Sequence, residues 1–330
     1  MSTYLVAGAG GFIGGHLVSR LLKQGHTVVC ADIKPLEYWF QNFENCENYS
    51  LDLKNIENCQ KVVNGVDYVY NMACNMGGMG FIENNKAECM LSVLINTNLL
   101  SACLKNKVKN YFFSSSACVY NASKQKKNFI PGLKESDAYP ADPEDGYGWE
   151  KLFSERMCRH FTEDFGLKTS VVRYHNVYGP LGTYDGGREK APAALCRKII
   201  QAKIDNLKFI NIWGDGEQTR SFMYIEDCIN GTEKIFNSNI NEPINLGSEE
   251  QVSINQMVDI IEEISGTKIE RKYLLEKPRG VMGRSSDNKK IIEELAWSPT
   301  IKLKTGLEKT YKWIFESIKS GENTKKFTRK

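Results

Sequence analysis

The segment Tyr4-Leu-Val-Ala-Gly-Ala-Gly-Gly-Phe-Ile-Gly14 has an apolar strand pattern followed by a glycine-rich turn. Gly8, Gly11 and Gly14 allow backbone amides to approach a pyrophosphate, and a helix beginning there directs its positive dipole end at the same charge. Because glycines also serve ordinary turns, the flanking sequence decides between the two roles. A helical apolar pattern follows the turn, and Thr27–Ala31 has the composition of a second strand. This order predicts a dinucleotide-binding strand-turn-helix-strand unit.

Two acidic residues lie at the ends of the next two predicted strands. Asp32 stands about 20 positions beyond the glycines, where a carboxylate accepts hydrogen bonds from the adenosine ribose and selects NAD over its 2′-phosphorylated form. Asp52 ends the short strand pattern at residues 48–53 and could meet the adenine amine. It could equally cap a helix over residues 54–63. The cofactor predicted from this part of the chain is NAD.

A second group of polar residues points to hydride chemistry at a carbinol. The stretch Tyr111-Phe-Phe-Ser-Ser-Ser-Ala-Cys-Val-Tyr120 predicts a buried strand that ends in small polar residues. Ligands bind at the carboxyl ends of parallel strands, so we expect Ser116 and Cys118 to face a ligand. Tyr147 and Lys151 are four residues apart, which places both side chains on one helix face. We expect Lys151 to lower the pKa of the Tyr147 phenol.

Strand and helix patterns alternate up to Thr169–Tyr174, which is the sixth predicted strand. This alternation predicts an α/β fold with a Rossmann-type doubly wound parallel sheet and a smaller, partly interleaved α/β substrate-binding domain. We assign residues 1–177 and 223–247 to an NAD-binding domain, and residues 178–222 and 248–330 to a second, substrate-binding domain. Basic loops in the second part suit a substrate that carries phosphates.

The composition is that of an ordinary soluble globular protein, with 41% hydrophobic residues, 25% charged residues and a net charge of +3. Basic runs occur only at residues 124–127 and in the tail at residues 325–330, and we expect neither to bind nucleic acid. The ten cysteines show no metal-ligand spacing, which predicts reduced, mostly buried thiols and no metal site. No apolar run is expected to span a bilayer, so we expect a cytoplasmic protein without a membrane partner.

Several motifs together resemble the extended short-chain dehydrogenase/reductases that modify nucleotide sugars. They are the glycine triplet, Ser115-Ser-Ala-Cys118, Tyr147 with Lys151, and Arg173-Tyr-His-Asn-Val-Tyr-Gly-Pro180. Within that family, the match is to the GDP-mannose 3,5-epimerase group. The distinguishing segments are Asn75-Met-Gly-Gly-Met-Gly-Phe81, Gly186-Gly-Arg-Glu-Lys-Ala-Pro-Ala-Ala194, Trp213-Gly-Asp-Gly-Glu-Gln-Thr-Arg-Ser221 and Gly283-Arg-Ser-Ser-Asp-Asn288. The resemblance departs at residues 121–130 and 203–208.

The resemblance implies a GDP-sugar substrate, a homodimer and a set of site residues. Catalytic positions would be Ser116, Cys118, Tyr147, Lys151 and Lys190. The NAD-binding positions would be Gly8, Gly11, Phe12, Ile13, Gly14, Asp32, Asp52, Ala73, Tyr147 and Lys151. The substrate-binding positions would be Gly78, Ser116, Cys118, Tyr147, Asn176, Glu189, Lys190, Ala191, Lys198, Gln218, Arg220 and Arg284.

The chemistry implied by the resemblance is transient oxidation at C4 of the sugar. The C4 ketone acidifies the hydrogens at C3 and C5, and inversion of those centres needs a base on one face and an acid on the other. Cys118 and Lys190 are the predicted pair, and re-reduction at C4 would give GDP-L-galactose and GDP-L-gulose.

Other functions fit part of the sequence. A 4,6-dehydratase would carry an Asp-Glu pair where Ala117 and Cys118 stand, and a simple 4-epimerase would need neither Cys118 nor Lys190. Epimerases or dehydratases of another GDP-hexose or GDP-heptose remain alternatives. A non-catalytic NAD-sensing scaffold usually loses the tyrosine and lysine, both of which are present here.

Overall fold

The computed structural model describes residues 1–321 and 326–328, so the basic tail lies mostly outside the described residues. Within them, a parallel sheet of seven strands has the order β11-β6-β5-β4-β1-β2-β3. Its strands are β1 (Thr3–Ala7), β2 (Thr27–Asp32), β3 (Glu47–Ser50), β4 (Tyr68–Asn71), β5 (Asn110–Ser116), β6 (Thr169–Tyr174) and β11 (Ile244–Leu246). This is the doubly wound arrangement that the strand and helix alternation predicts.

Helices cover both faces of the sheet, as crossover connections between parallel strands require. Those between the sheet strands are α1 (Phe12–Lys23), α2 (Ile56–Val63), α3 (Met79–Asn84), α4 (Lys86–Met90), α5 (Ser92–Lys105), α6 (Tyr147–Phe165) and α8 (Ile225–Phe236). The central strands are buried on both faces, with Leu5 and Val6 of β1 fully inaccessible. One core cluster contains Val6 with residues of α1 and α8, and another contains Leu5 with residues of α2 and α5.

Smaller sheets carry the loops that face the carboxyl ends of the central strands. β7 (Val177–Tyr178) pairs with β10 (Met223–Tyr224), β8 (Phe209–Trp213) pairs with β13 (Glu270–Leu274), and β9 (Thr219–Ser221) lies between β12 (Gln251–Ser253) and β14 (Gly283–Arg284). The remaining helices are α7 (Ala191–Ile204), α9 (Ile254–Ser265), α10 (Lys289–Leu295) and α11 (Leu303–Ser320). The chain leaves the central sheet after β6 and returns to it for β11.

Local signals set several element ends. Gly166 adopts a left-handed conformation that ends α6. A capping box of Ser253 and Gln256 opens α9, where each side chain bonds the other residue's backbone amide. Asn55 caps α2 by accepting a bond from Glu57 N, so the alternative role of Asp52 as that helix's cap is wrong.

The helical segment Lys86–Lys105 is long and apolar enough to cross a membrane by length and composition, contrary to our expectation that no such run exists. The segment is divided between α4 and α5, which meet at Leu91. Leu99, Leu100 and Cys103 are fully buried in the core cluster that covers one face of the central sheet. Part of its apolar composition therefore serves packing against the sheet in this fold.

Candidate active site

The turn after β5 brings a serine, a cysteine and a tyrosine together. Ser116 is the last residue of β5, and its hydroxyl oxygen accepts a hydrogen bond from Cys118 N at 3.2 Å. Tyr147 begins α6 and is 5% exposed. It packs in a cluster that includes Cys118, and Ser116 is near enough to act on the pKa of its phenol. The two predicted residues that would hold the C4 oxygen are therefore adjacent.

Lys151 lies one turn along α6, with Nζ 5.6 Å from the centre of the Tyr147 ring and 4.7 Å from that of Phe113. The residue is 1% exposed, and Nζ has no hydrogen-bond partner within the described ranges. The nearest carboxylate contact is Glu150 Oε2 at 3.6 Å. A buried ammonium group without a partner is costly, so this nitrogen is available to bind a ligand oxygen.

The prediction that Lys151 lowers the pKa of Tyr147 is wrong for this structure. Burial raises the pKa of the phenol well above its ordinary value, and the neighbouring Cys74, Cys118 and Glu150 raise it further, while Ser116 opposes the rise. Burial also acts to lower the pKa of Lys151, but Cys74 and Glu150 outweigh this effect and raise it. The charge of Lys151 is thus directed at Cys74 and Glu150 rather than at the phenol.

Arg284 connects Cys118 to a carboxylate. Its Nη1 donates to Cys118 Sγ at 3.5 Å, and its Nη2 donates to Glu144 Oε1 at 2.6 Å. The third donor, Nε, binds Gln125 Oε1 at 2.7 Å, so residues 121–130, where the family resemblance departs, support the arginine. Arg284 was predicted to contact substrate, and the structure places its guanidinium beside Cys118.

Lys190 immediately precedes α7, which has a proline in its first turn. Burial lowers the pKa of the Lys190 ammonium, and Cys118 and Cys74 are close enough to oppose that effect electrostatically. Burial also raises the pKa of the Cys118 thiol, to about 11, with Glu144 contributing. The two residues predicted as an acid/base pair therefore interact, although they are far apart in sequence.

Close backbone contact joins the loop after β4 to the loop before α7. Gly78 N donates to Arg188 O at 3.2 Å, and a Cβ at Gly78 would lie 2.6 Å from Glu189 O. Only glycine permits this approach. Arg188 continues the contact by donating to Asn75 Oδ1 and covering the ring of Phe81. The predicted substrate positions Gly78, Glu189, Lys190 and Ala191 are thus brought to one place.

The other predicted substrate residues differ in whether their polar groups already bind other residues of the protein. Arg220 faces Arg284, and burial together with this second cation lowers the pKa of Arg220 to about 10, as suits an anion site. Gln218 is 7% exposed, and its Oε1 lacks a hydrogen-bond partner among the described residues. Asn176 has φ +28° and donates to Ser221 O. Lys198 is already engaged, since its Nζ donates to Asn211 O at 2.7 Å.

The glycines predicted to bind the cofactor form a tight turn in which the backbone segments approach too closely to admit side chains. A Cβ at Gly14 would lie 2.1 Å from Gly8 O, and one at Gly8 (φ +84°) would lie 2.9 Å from Ala73 N. Gly11 is the N-cap of α1, so Phe12 and Ile13 begin that helix beside the turn. Asp32 ends β2 and is 7% exposed. These positions, with the unpartnered Lys151 Nζ, fit a dinucleotide at the α1 terminus.

Asp52 lies beyond the end of β3, because that strand stops at Ser50. Its carboxylate accepts a bond from Lys54 N at 2.9 Å and forms an ion pair with Lys54 Nζ at 3.6 Å. Asp52 therefore lies in a turn at the same carboxyl-terminal edge of the sheet as Asp32. Its contact with adenine stays a prediction.

The sequence interpretation missed Glu144 and Cys74. Glu144 stands in an irregular loop three residues before Tyr147, and the sequence gives no sign that it reaches Arg284. Cys74 follows β4 closely, and Tyr147 and Lys151 are near enough to its thiol to lower the pKa that burial raises. Its place just after a strand end, like that of Ser116, was the available signal.

A glycine turn at a helix start, an acidic residue ending the next strand, and converging serine, tyrosine and lysine side chains define a short-chain dehydrogenase/reductase type of enzyme. The sequence profile of the NAD dependent epimerase/dehydratase family matches residues 4–247. The chain belongs to this family. Membership confirms the predicted NAD cofactor, which the glycine turn, Asp32 and Lys151 fit.

Similar proteins include plant epimerases and bacterial nucleotide-sugar enzymes. GDP-mannose 3,5-epimerase 1 of Oryza sativa subsp. japonica is 47% identical over 314 residues, covering 95% of this chain and 82% of that protein. GDP-mannose 3,5-epimerase of Arabidopsis thaliana is 45% identical with the same coverage. UDP-glucuronic acid 4-epimerase from Bacillus cereus, in complex with UDP-glucuronic acid and NAD, superposes with a TM-score of 0.80 at 28% identity, covering 95% of this chain and 99% of that one.

UDP-glucose 4-epimerase from Thermotoga maritima, with UDP-glucose, gives a TM-score of 0.84 at 25% identity and covers 96% of this chain and 99% of that chain. The fold prediction and the resemblance to the GDP-mannose 3,5-epimerase group are confirmed by these similarities. The predicted class of NAD-dependent nucleotide-sugar epimerase is confirmed as well.

Proposed function

We propose that this protein is a GDP-mannose 3,5-epimerase that converts GDP-mannose to GDP-L-galactose and GDP-L-gulose. The single observation that carries the proposal is that Cys118 packs with Tyr147 and bonds Ser116, with Lys190 near enough for the thiol to act on it electrostatically. A simple 4-epimerase needs only the tyrosine and serine, whereas inversion at C5 and C3 needs a second pair of proton-transferring groups. The 47% identity to a protein named for this reaction supports the choice.

At C4, Tyr147 Oη takes the hydroxyl proton while Ser116 holds the same oxygen, since both side chains lie against Cys118. The chemistry that bound NAD would supply is acceptance of the hydride from C4 and its later return. Gly8, Gly11 and Gly14 would hold its pyrophosphate, Asp32 its adenosine ribose, and Lys151 Nζ a ribose oxygen. Because burial raises the pKa of the Tyr147 phenol, its ionised form is a stronger base toward the C4 hydroxyl proton.

At C5 and C3, the C4 ketone acidifies the hydrogens on either side of it. Cys118 and Lys190 act as the acid and base on opposite faces of the ring. Arg284 supports the sulfur of Cys118, while Arg220 supplies positive charge for the diphosphate. Asn176, Glu189, Lys198 and Gln218 complete the proposed GDP-sugar contacts, with Lys198 first releasing Asn211 O.

The domain assignment separates the residues that bind the cofactor from most of those that bind the substrate. We infer that residues 1–177 and 223–247 hold NAD, while residues 178–222 and 248–330 bind the GDP-sugar. The return of β11 to the central sheet, where it pairs with β6, supports the interleaving. Gln218, Arg220 and Arg284, by contrast, lie on or beside the strands of the separate sheet formed by β12, β9 and β14.

We also propose a cytoplasmic homodimer. Large apolar side chains are exposed on α4, α5 and α6 and at the junction of the first two, and α6 packs against both α4 and α5. They are Met90 (48%), Leu91 (41%), Leu94 (42%), Trp149 (44%) and Phe153 (53%). A second copy could cover this surface. All ten cysteines are free thiols, which fits a reducing compartment.

The proposed function is tested by incubating the protein with NAD and GDP-mannose in heavy water and following deuterium at each sugar carbon by NMR. UDP-glucose serves as a parallel substrate. We expect deuterium at C5 and C3 of GDP-mannose, with galactose- and gulose-type products, and no exchange with UDP-glucose. Absence of exchange from every carbon of GDP-mannose would rule the proposal out.

A further inference from the structure

Arg188 lies against both ends of the loop that follows β4, although it is not among the predicted site residues. Its Nη1 donates to Asn75 Oδ1 at 2.9 Å and to Met76 O at 3.3 Å, at the start of that loop. Its guanidinium carbon lies 3.8 Å from the centre of the Phe81 ring, at the other end. Midway along the loop, Gly78 N donates to Arg188 O at 3.2 Å. The loop therefore wraps around one arginine.

The loop has few other polar attachments. Asn75 N donates to the buried Ser92 Oγ at 2.9 Å, which fixes the start of the loop to α5. Within the part of the chain that the structure describes, the polar contacts that reach the loop from beyond α5 all come from Arg188. The fit is close, since a Cβ at Gly77 would lie 3.3 Å from Arg188 Cα and 2.7 Å from Phe81 Cβ. The position of the loop thus depends on this arginine.

The inner side of the loop faces the groups proposed to act on the sugar. Met76, Met79 and Phe81 belong to the same apolar cluster as Tyr147 and Cys118. The loop therefore forms a wall beside the C4 end of the sugar. The two arginines proposed to bind the diphosphate make no polar contact with the loop among the residues that the structure describes; they are Arg220 and Arg284.

Arginine suits this position because a guanidinium can use its face and its edge at the same time. The face covers the Phe81 ring, while N–H groups on the edge donate to Asn75 and Met76. A lysine ammonium could lie over the ring or bind the two oxygens, but it has no plane with which to do both. The contact therefore depends on the shape of the side chain as well as on its charge.

We propose, on the basis of the proposed function, that Arg188 is a positioning residue: by holding both ends of the loop after β4, it sets the wall against which the sugar ring is oriented beside Tyr147. Arg188 acts through the loop and does not touch the reacting atoms. Its loss should weaken binding of the sugar and leave binding of GDP alone as it is.

The test is steady-state kinetics of Arg188→Met, with GDP-mannose as substrate and GDP as competitive inhibitor. Loss of the ring contact and of two hydrogen bonds should raise the KM for GDP-mannose about tenfold, which corresponds to about 1.4 kcal/mol. The Ki for GDP should stay within about twofold of the wild-type value. Arg159→Met, which removes an exposed arginine from α6, should change neither constant. An unchanged KM would overturn the proposal, and so would an equal rise in both constants, because a merely structural defect weakens both.

Conservative variants separate this contact from general loosening of the loop. Phe81→Tyr keeps the aromatic face and should retain the wild-type KM, whereas Phe81→Leu should raise it. Arg188→Lys keeps the charge but loses the plane, so its KM should still rise severalfold. A wild-type KM in Arg188→Lys, or equal KM values in the two Phe81 variants, would contradict the proposed contact. Phe81→Leu also tests the contact from the other side if Arg188→Met does not fold.

Hydrogen exchange needs no substrate, so it separates this inference from the proposed function. In Arg188→Met we expect the amides of residues 75–84 to exchange at least about tenfold faster than in the wild type, as measured by mass spectrometry, because the loop opens more often. In Arg159→Met the same peptide should exchange at the wild-type rate. A wild-type protein that turns over no GDP-mannose would overturn the proposed function. Unchanged exchange in Arg188→Met would overturn the role of Arg188 in holding the loop.

Discussion

Replacing Gly14 by alanine tests the cofactor cradle most sharply. The new Cβ would lie 2.1 Å from Gly8 O and 2.8 Å from Gly8 C, both of which are backbone atoms. To relieve the overlap, the turn and α1 must separate by about 1 Å, in an interior that is packed too closely to absorb it. Overpacking of this kind costs about 1–3 kcal/mol. If that strain displaces the amides that bind pyrophosphate, the Kd for NAD rises by roughly 5- to 150-fold.

Gly15→Ala is the matched control on the same helix. Its Cβ would lie 3.0 Å from Gln41 Nε2, the end of a flexible side chain that can move aside. We expect the Kd of this variant to stay within about threefold of the wild-type value. Isothermal titration calorimetry with NAD measures both constants, and thermal melting shows whether each variant is folded. A folded Gly14→Ala variant that binds NAD as tightly as Gly15→Ala would refute the reasoning.

The remaining predictions concern stability, assembly and proton transfer. Glu155→Ala leaves Arg173 buried without its ion pair and should lower the free energy of unfolding in urea by about 3–5 kcal/mol. Glu163→Ala, at the surface, should lower it by less than about 0.5 kcal/mol. Equal losses of stability in the two variants would contradict this prediction. Phe153→Glu places a charge on the proposed dimer surface and should halve the mass measured by analytical ultracentrifugation. An unchanged mass would contradict the dimer proposal. Lys190→Met should slow inversion at C5, as measured by NMR, about 100-fold or more while C4 oxidation persists. Inversion at the wild-type rate would exclude a role for Lys190 in proton transfer.

Local sequence patterns were sufficient to predict the strands of the central sheet and the residues at their carboxyl ends. β6 has the predicted bounds Thr169–Tyr174, because a strand pattern depends on near neighbours in sequence. The sequence also has a helical pattern from about residue 83 to residue 107, and the structure divides it among α3, α4 and α5, which Asn85 and Leu91 separate. Apolar periodicity alone does not mark such breaks.

The electrostatics of the site could not be predicted, because they depend on contacts distant in sequence. Arg284 reaches Cys118 across 166 residues, and Glu144 reaches Arg284 from an irregular loop. The spacing of Tyr147 and Lys151 gave the correct helix face. It did not show that burial and the nearby Cys74 would raise the phenol pKa instead of Lys151 lowering it. Burial of each group is a property of the packed fold and not of residue spacing.

The central claim is that C4 oxidation and inversion at C5 and C3 are separate steps with separate residues. Cys118→Ala tests it most directly, with GDP-mannose as substrate, nicotinamide absorbance as the measure of C4 oxidation, and NMR as the measure of inversion. We predict that reduced nicotinamide still forms while no galactose- or gulose-type product appears. Inversion by Cys118→Ala at the wild-type rate would contradict the account.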